Sequence, residues 1–280
     1  MTAGIIDGTA VSKKLLAETA ERAAAFTEKA GRAPCLATVL VGNDPASETY
    51  VKMKRNRSRK NGITSRKVEL PDTTTTEELV AVITDLSNDN TVDGILLQHP
   101  VPDQIDERAA FEAIAPGKDV DGVTMASFAA MAFGLPGFDS CTPGGIMRLL
   151  DAYDVDLSGK HAVVVGRSPI LGKPVGMLLL NRNATVTYCH SRTTDLADQV
   201  ARADVVVAAV GKAELIKGAW IKPGAVVIDA GYNPGNVGDV EQTAAAEQAS
   251  LITPVPGGVG PMTIAVLLAQ TVAGAEASLA

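Results

Sequence analysis

A chain of 280 residues is long enough for two domains, and a hydrophobic content of 46% can supply a core for each. The net charge of −7 and the aromatic content of 4% give no general attraction to nucleic acid or to an anionic membrane, so we expect neither as a partner. The three cysteines are widely spaced and the first residues lack a signal-peptide pattern, which predicts a cytoplasmic protein with neither a disulfide framework nor a metal site.

The first half of the chain alternates helix and strand patterns. Apolar residues at helical spacing over 9–30 end at Gly31, which predicts a long amphipathic helix. Residues 35–41 form an apolar run typical of a buried strand, and a second helix is predicted from Pro45 onward. Residues 92–98 predict another strand, which ends in Gln98. Because open α/β sheets bind ligands at the carboxyl ends of their strands, Gln98 is a candidate site residue.

The second predicted helix carries two side chains that can meet one ligand. Tyr50 and Lys54 are four residues apart and therefore share one helix face. The same helix is crowded with basic residues, a pattern that fits a solvated face and also fits the steering of an anionic substrate. These residues are Lys52, Lys54, Arg55, Arg57, Arg59 and Lys60.

Two further loops contain candidate site residues. The turn at 117–122 offers the carboxylates of Asp119 and Asp121, although Asp-Gly turns are common and a purely structural role fits equally. Residues 253–263 (TPVPGGVGPMT) pack three prolines and three glycines ahead of an apolar helix. A loop so constrained and so apolar suggests backbone placed against a ligand.

The second half is arranged around a glycine turn. Residues 162–165 predict a buried strand, after which Gly166 permits a sharp turn, Ser168 can cap exposed amides, and Gly172 lets the next helix approach closely. The spacing GxSxxxGxP differs from the GxGxxG fingerprint, so the turn alone fits an ordinary strand-to-helix connection as well as a phosphate site. Further strand patterns at 183–189, 203–210 and 225–229 predict a doubly wound parallel sheet.

The residues after the strand at 183–189 predict the cofactor. An NAD site places an acidic residue about 20 positions after the glycine turn, whereas arginine and neutral donors bind a 2′-phosphate. Here the strand ends in Cys-His-Ser-Arg without a carboxylate, and Arg167 lies in the glycine turn itself. We therefore predict NADP. Its predicted binding residues are Gly166, Arg167, Ser168, Gly172, Ser191 and Arg192.

From end to end, the chain resembles the bifunctional methylenetetrahydrofolate dehydrogenase/methenyltetrahydrofolate cyclohydrolase family. Seven motifs match in order: YVKMK at 50–54, DGILLQ at 93–98, KDVDG at 118–122, CTP at 141–143, GRSxxxGxP at 166–174, CHS at 189–191 and PVPGGVGPMT at 254–263. The chain departs from the family in two places. His99 stands where the family usually has leucine, which could change how Gln98 is held, and the segment 231–240 is shorter than usual, which we expect to trim a surface loop.

The resemblance implies an enzyme that oxidises 5,10-methylenetetrahydrofolate with NADP and then hydrolyses the methenyl product to 10-formyltetrahydrofolate. It implies that Lys54 is the catalytic lysine and that Gln98 hydrogen-bonds this lysine. Tyr50 would pack along the folate, and Asp121 would grip the pterin. The matching C-terminal loop adds Pro256, Gly257 and Gly258 to the substrate-binding residues.

The resemblance also implies the domain organisation. A mixed α/β folate domain would comprise residues 1–139 together with the returning helix 263–280, and a Rossmann-like doubly wound dinucleotide domain would comprise 140–262. The substrate would lie in the cleft between the domains. Similar proteins form homodimers through the dinucleotide domain.

Three rival interpretations remain. A shikimate-type dehydrogenase shares a catalytic lysine and a dinucleotide domain but does not need PVPGGVGPMT. A monofunctional folate dehydrogenase that has lost the cyclohydrolase step is opposed by the intact set of Tyr50, Lys54 and Gln98. A non-enzymatic NADP-binding or scaffold protein would leave that polar set unexplained.

Overall fold

The computed structural model describes residues 2–42 and 45–279, with the side chains of 45–52 outside the described part. The strands are β1 (Gly4–Ile5), β2 (Cys35–Val41), β3 (Thr64–Leu70), β4 (Gly94–Leu97), β5 (His161–Val165), β6 (Thr185–Cys189), β7 (Val205–Ala208), β8 (Val226–Asp229) and β9 (Leu251–Ile252). The helices are α1 (Gly8–Ala30), α2 (Pro45–Lys60), α3 (Thr76–Asn88), α4 (Glu107–Glu112), α5 (Met125–Phe133), α6 (Cys141–Ala152), α7 (Gly172–Asn181), α8 (Leu196–Ala201), α9 (Gln242–Gln248) and α10 (Val259–Ala277).

The chain forms two compact units that we name by their sheets. The larger-sheet unit contains Met1–Lys13, Met131–Leu135 and Ser140–Thr263, and the smaller-sheet unit contains Lys14–Ala130, Pro136–Asp139 and Ile264–Ala280. The first residues group with the larger sheet because β1 pairs with β9.

The smaller-sheet unit is built on a parallel sheet in the order β3-β2-β4. β2 is central and buried along its whole length, as its continuous apolar sequence predicts for a parallel strand covered on both faces. Beyond β4 the ladder continues, because Gln98 N donates to Val39 O at 2.8 Å. This bond places Gln98 at the carboxyl edge of the sheet, beside the end of β2.

The larger-sheet unit contains a six-stranded parallel sheet in the order β1-β9-β8-β7-β5-β6. From β5 the chain runs first to β6 on one side and then to β7 on the other, so the direction of winding reverses at β5. In doubly wound sheets such a reversal opens a ligand crevice at the carboxyl ends of the strands. The predicted α/β class and the predicted Rossmann-like parallel sheet are confirmed.

α10 begins at Val259 and therefore contains the GPMT residues, which the sequence pattern had placed in a loop ahead of the helix. It is the longest apolar helix of the described residues. By length and composition alone it could cross a membrane, but 67% of its apolar window is buried inside the protein. Such burial is typical of a core helix.

Candidate functional site

Lys54 and Gln98 meet at the carboxyl edge of the smaller sheet. Lys54 lies on α2, which follows β2, and Gln98 directly follows β4. Lys54 Nζ donates to Gln98 Oε1 at 3.0 Å, and Gln98 Nε2 donates to the main-chain oxygen of His99 at 2.8 Å. Gln98 is buried, so its amide holds the lysine in one orientation. Tyr50 falls on the same helix, and its side chain lies outside the described residues.

His99 contributes its backbone to this arrangement. Its ring packs edge-on against Phe111, with the centroids 6.1 Å apart and the planes at 84°. The bond that orients Gln98 uses the main-chain oxygen, which a leucine would offer equally. The expectation that His99 changes how Gln98 is held therefore finds no support in the hydrogen bonds.

The two carboxylates of the KDVDG turn have different surroundings. Asp119 is fully buried and accepts hydrogen bonds from the main-chain amides of Val123 and Thr124, at 3.1 and 2.9 Å, and from the hydroxyl groups of Thr124 and Ser127. Asp119 therefore anchors the turn to the start of α5. Asp121 is only half-buried, and no hydrogen bond among the described residues joins it to Lys54 or Gln98.

The glycine turn lies at the reversal point of the larger sheet. Gly166 has a φ of +139°, and a Cβ added there would lie 2.2 Å from Ala209 O. A Cβ on Gly172 would lie 2.5 Å from Gly166 O, and Ser168 Oγ accepts from Gly172 N at 3.2 Å. Both glycines are therefore required by close backbone approach, and α7 begins directly against the end of β5.

The residues after β6 leave exposed donors at the same edge. Ser191 and Arg192 are exposed, as is Arg167 in the glycine turn. His190 stabilises the loop, because its Nδ1 accepts from Arg192 N at 3.1 Å and its main-chain N donates to Thr193 Oγ1 at 2.8 Å. Exposed arginine and hydroxyl groups without a carboxylate fit a 2′-phosphate, and the glycine cradle fits a pyrophosphate.

Sequence reasoning missed a buried carboxylate that shapes this edge. Asp239 is fully buried, and its two oxygens accept from the main-chain amides of Val210, Gly211 and Lys212 at 2.7–2.9 Å. These amides form the loop after β7, next to the glycine turn. The segment 231–240, predicted to be a surface loop, thus supplies an internal anchor. The only signal in the sequence was an aspartate between a glycine and a valine.

A second missed carboxylate supports the first. Asp229 ends β8 and accepts from the amides of Gly231, Asp239 and Val240 at 2.9–3.0 Å. Burial raises the pKa of Asp229, and the nearby Asp239 carboxylate adds to this effect. The three amide donors act in the opposite direction by stabilising the charged form.

The loop at 254–258, which is the first half of the PVPGGVGPMT motif, packs against the start of α1 within the larger-sheet unit. Thr9 N donates to Gly257 O at 3.0 Å, and a Cβ on Gly8 would lie 1.7 Å from Gly258 O. Gly257 has a φ of +105°, a conformation that disfavours other residues. Pro256 is exposed whereas Gly258 is buried, so the tip of the loop is available to a ligand.

Comparison with known proteins decides the family. The catalytic domain of tetrahydrofolate dehydrogenase/cyclohydrolase matches residues 6–121, and the NAD(P)-binding domain of the same enzymes matches residues 140–279. The chain belongs to the tetrahydrofolate dehydrogenase/cyclohydrolase family. It is 71% identical over 276 residues to bifunctional protein FolD 1 of Salinispora arenicola, covering 99% of each chain. It is 61% identical to bifunctional protein FolD of Teredinibacter turnerae, covering 100% of each.

Solved structures agree with this membership. A FolD methylenetetrahydrofolate dehydrogenase/cyclohydrolase from Campylobacter jejuni is 43% identical, with a TM-score of 0.96 over 98% of this chain and 99% of that one. A FolD from Trypanosoma brucei, complexed with NADP and an inhibitor, is 38% identical with a TM-score of 0.95, covering 100% and 99%. A shikimate dehydrogenase from Thermus thermophilus is 14% identical with a TM-score of 0.52, covering 87% of this chain and 99% of that one. That likeness concerns the fold alone.

The predicted family is confirmed, and with it the pairing of dehydrogenase and cyclohydrolase activities. This dehydrogenase/cyclohydrolase contains both family domains, so the shikimate-type interpretation is rejected. The bifunctional relatives likewise oppose the monofunctional and non-enzymatic interpretations.

Proposed function

We propose that this enzyme oxidises 5,10-methylenetetrahydrofolate with NADP and hydrolyses the methenyl product to 10-formyltetrahydrofolate, with Lys54 as the acid/base group of the hydrolysis. The hydrogen bond of 3.0 Å between Lys54 Nζ and Gln98 Oε1 carries this proposal. Water that attacks the cationic methenyl carbon must lose protons, and an amine at a substrate site can accept them. Gln98, whose amide is held by its hydrogen bond to His99 O, would keep the Lys54 amine in one position.

The oxidation makes a different demand on the protein. Hydride loss is driven by the lone pair of the folate nitrogen, so this step needs positioning more than acid or base. NADP, when bound, accepts the hydride. We assign Gly166, Ser168 and Gly172 to its pyrophosphate. Arg167, Ser191 and Arg192 would hold the 2′-phosphate.

The remaining substrate contacts follow from the family motifs. Asp121 would grip the pterin, and its partial exposure leaves the carboxylate accessible. Tyr50 would pack along the folate. The backbone of residues 256–258 would line the substrate, supported by the exposure of Pro256 at the loop tip.

We also propose a cytoplasmic homodimer formed through the larger-sheet unit. In this unit β6 ends the sheet, and the side chains of Phe133, Leu135 and Leu180 are exposed, as is common at subunit interfaces. Cys35, Cys141 and Cys189 are buried and form no disulfide bond with one another, which suits a reducing compartment. Light scattering should give twice the chain mass of 28.9 kDa.

A single absorbance experiment tests the proposed activities. Addition of 5,10-methylenetetrahydrofolate and NADP should produce NADPH, with only a transient methenyl signal. Stable accumulation of the methenyl compound would instead indicate a monofunctional dehydrogenase. Absence of NADPH formation would contradict the proposal altogether.

A further inference from the structure

α10 contains a buried amide that reaches the turn carrying Asp121. Gln270 is 9% exposed and lies among apolar residues of this helix, including the buried Leu267 and Leu268. Its Oε1 accepts from Asp139 N at 3.1 Å, and its Nε2 donates to Asp139 O at 3.0 Å and to Val120 O at 2.8 Å. The carbonyl oxygen and the amide nitrogen are both engaged, so the side chain has one orientation.

Val120 is held through its side chain as well as its carbonyl. It is fully buried and packs on the backbone of β4, where a Cβ on Gly94 would lie 2.7 Å from Val120 Cγ2. Val120 O also belongs to the planar peptide unit that carries the N and Cα of Asp121. The bond from Gln270 to Val120 O therefore fixes the orientation of this peptide plane, and with it the direction in which the Asp121 side chain leaves the backbone.

Asp119 holds the same turn from its other end. Its buried carboxylate accepts two main-chain amides and two hydroxyl groups from residues 123–127. The backbone is therefore held on both sides of Asp121, by the bond from Gln270 to Val120 O and by the bonds from the amides of residues 123 and 124 to Asp119. The backbone of α10 is already hydrogen-bonded as a helix, so the Gln270 amide serves the turn rather than its own helix.

We propose that Gln270 is a positioning residue for Asp121, setting the aim of this carboxylate at the pterin ring. The inference rests on the proposed role of Asp121 in substrate binding. Gln270 would act on the folate side of the reaction, because its hydrogen bonds to Val120 and Asp139 lie within the smaller-sheet unit.

The test compares Gln270→Leu with Thr271→Val in the full-length enzyme. Gln270→Leu removes the amide and keeps an aliphatic side chain. Thr271→Val is the matched control, because the Thr271 hydroxyl donates to Leu267 O within the same helix. We expect Gln270→Leu to raise the KM for 5,10-methylenetetrahydrofolate about tenfold, less than the roughly 100-fold that a misplacement of about 1 Å can cost. The KM for NADP should not change, and Thr271→Val should change neither constant.

A second variant keeps the test valid if Gln270→Leu does not fold. Gln270→Glu preserves the size and the acceptor for Asp139 N but places a carboxylate against two carbonyl oxygens. It should cause the same selective rise in the KM for folate. An equal rise in both KM values, in either variant, would indicate general loosening of the protein and overturn the inference.

A double-variant comparison separates this inference from the function on which it rests. In an Asp121→Ala background, Gln270→Leu should add little to the KM for folate, because residues that act as a unit are not additive. If the two substitutions instead raised the KM for folate independently, so that their fold-changes multiplied, the positioning role of Gln270 would be overturned and the role of Asp121 would stand. An unchanged KM for folate in Asp121→Ala alone would instead refute the role of Asp121, and the inference with it.

Discussion

At the scale of single residues, we expect the hydrogen-bond donors after β6 to determine which cofactor is bound. Arg192 and Ser191 are exposed, and residues 189–194 contain no aspartate or glutamate. A hydrogen bond to a charged group contributes about 1.5–3 kcal/mol, so Arg192→Ala should raise the KM for NADP about 10- to 100-fold and leave the KM for NAD unchanged. Steady-state kinetics with both cofactors measure this.

The matched control for Arg192→Ala is an arginine that lies before the start of β6 instead of after its end. Arg182 precedes β6 and pairs on the surface with Asp151, so Arg182→Ala should leave both KM values unchanged. Equal kcat/KM for NAD and NADP in the parent enzyme would refute the predicted preference.

The sequence alone could place some of these residues and not others. The spacing of Tyr50 and Lys54 predicts a shared helix face, but nothing local brings Lys54 to Gln98, 44 positions away. Periodicity carries no tertiary distances, and that pairing came from family resemblance. Asp119 and Asp121 share one motif, so only the structure distinguishes the buried anchor from the half-exposed carboxylate.

At the scale of elements, Gly8 allows the start of α1 to pack closely against the backbone of the loop at 254–258. Gly8→Ala would place a methyl group 1.7 Å from Gly258 O, and no change of rotamer can relieve a clash with backbone. We expect the free energy of unfolding to fall by about 1–3 kcal/mol or more. Urea unfolding measures the loss.

Gly260→Ala is the control for Gly8→Ala. Gly260 lies in the first turn of α10, and an added Cβ there meets open space. Its free energy of unfolding should change by less than about 0.5 kcal/mol. Equal stability of the two variants would show that the loop can yield to the methyl group.

Element prediction from sequence succeeded where the apolar pattern was long. The helix predicted over 9–30 is α1, Gly8–Ala30, and the strand predicted at 35–41 is β2, Cys35–Val41. β1 and β9 were not predicted, because strands of two residues have no periodicity and form only by pairing with distant partners.

At the scale of the whole molecule, an ion pair between Asp204, just before β7, and Lys222, in the loop before β8, makes stability depend on pH. The Lys222 ammonium lowers the pKa of Asp204, and the main-chain amide of His161 adds to this effect. Because the folded pKa is lowered, this stabilisation is present above the unfolded pKa of about 3.9 and is lost as pH falls through the folded pKa. Lys222→Met should therefore destabilise the protein at pH 7, by at most about 1 kcal/mol for so exposed a pair.

Urea unfolding of Lys222→Met and of the parent at neutral and acid pH tests whether this stabilisation is lost as the pH falls. The difference in the free energy of unfolding should shrink as the medium becomes acid enough to protonate Asp204. A difference that stays constant with pH would show that the lysine stabilises the fold by packing alone.

The two activities should separate at Lys54, because oxidation depends on positioning and hydrolysis depends on a proton acceptor. Lys54→Met keeps most of the side-chain volume and removes the amine. Lys60→Met, at the exposed end of the same helix, is the matched control and should retain both activities. Adding a Gln98 substitution to Lys54→Met should cost little more, because Gln98 would act through the lysine.

The most direct test is the rate at which Lys54→Met hydrolyses methenyltetrahydrofolate, measured beside its NADPH production. We expect hydrolysis to fall by about 10²- to 10⁴-fold, the usual contribution of an acid/base group, while NADPH production persists and the methenyl compound accumulates. Hydrolysis at the parent rate would contradict the assignment of Lys54.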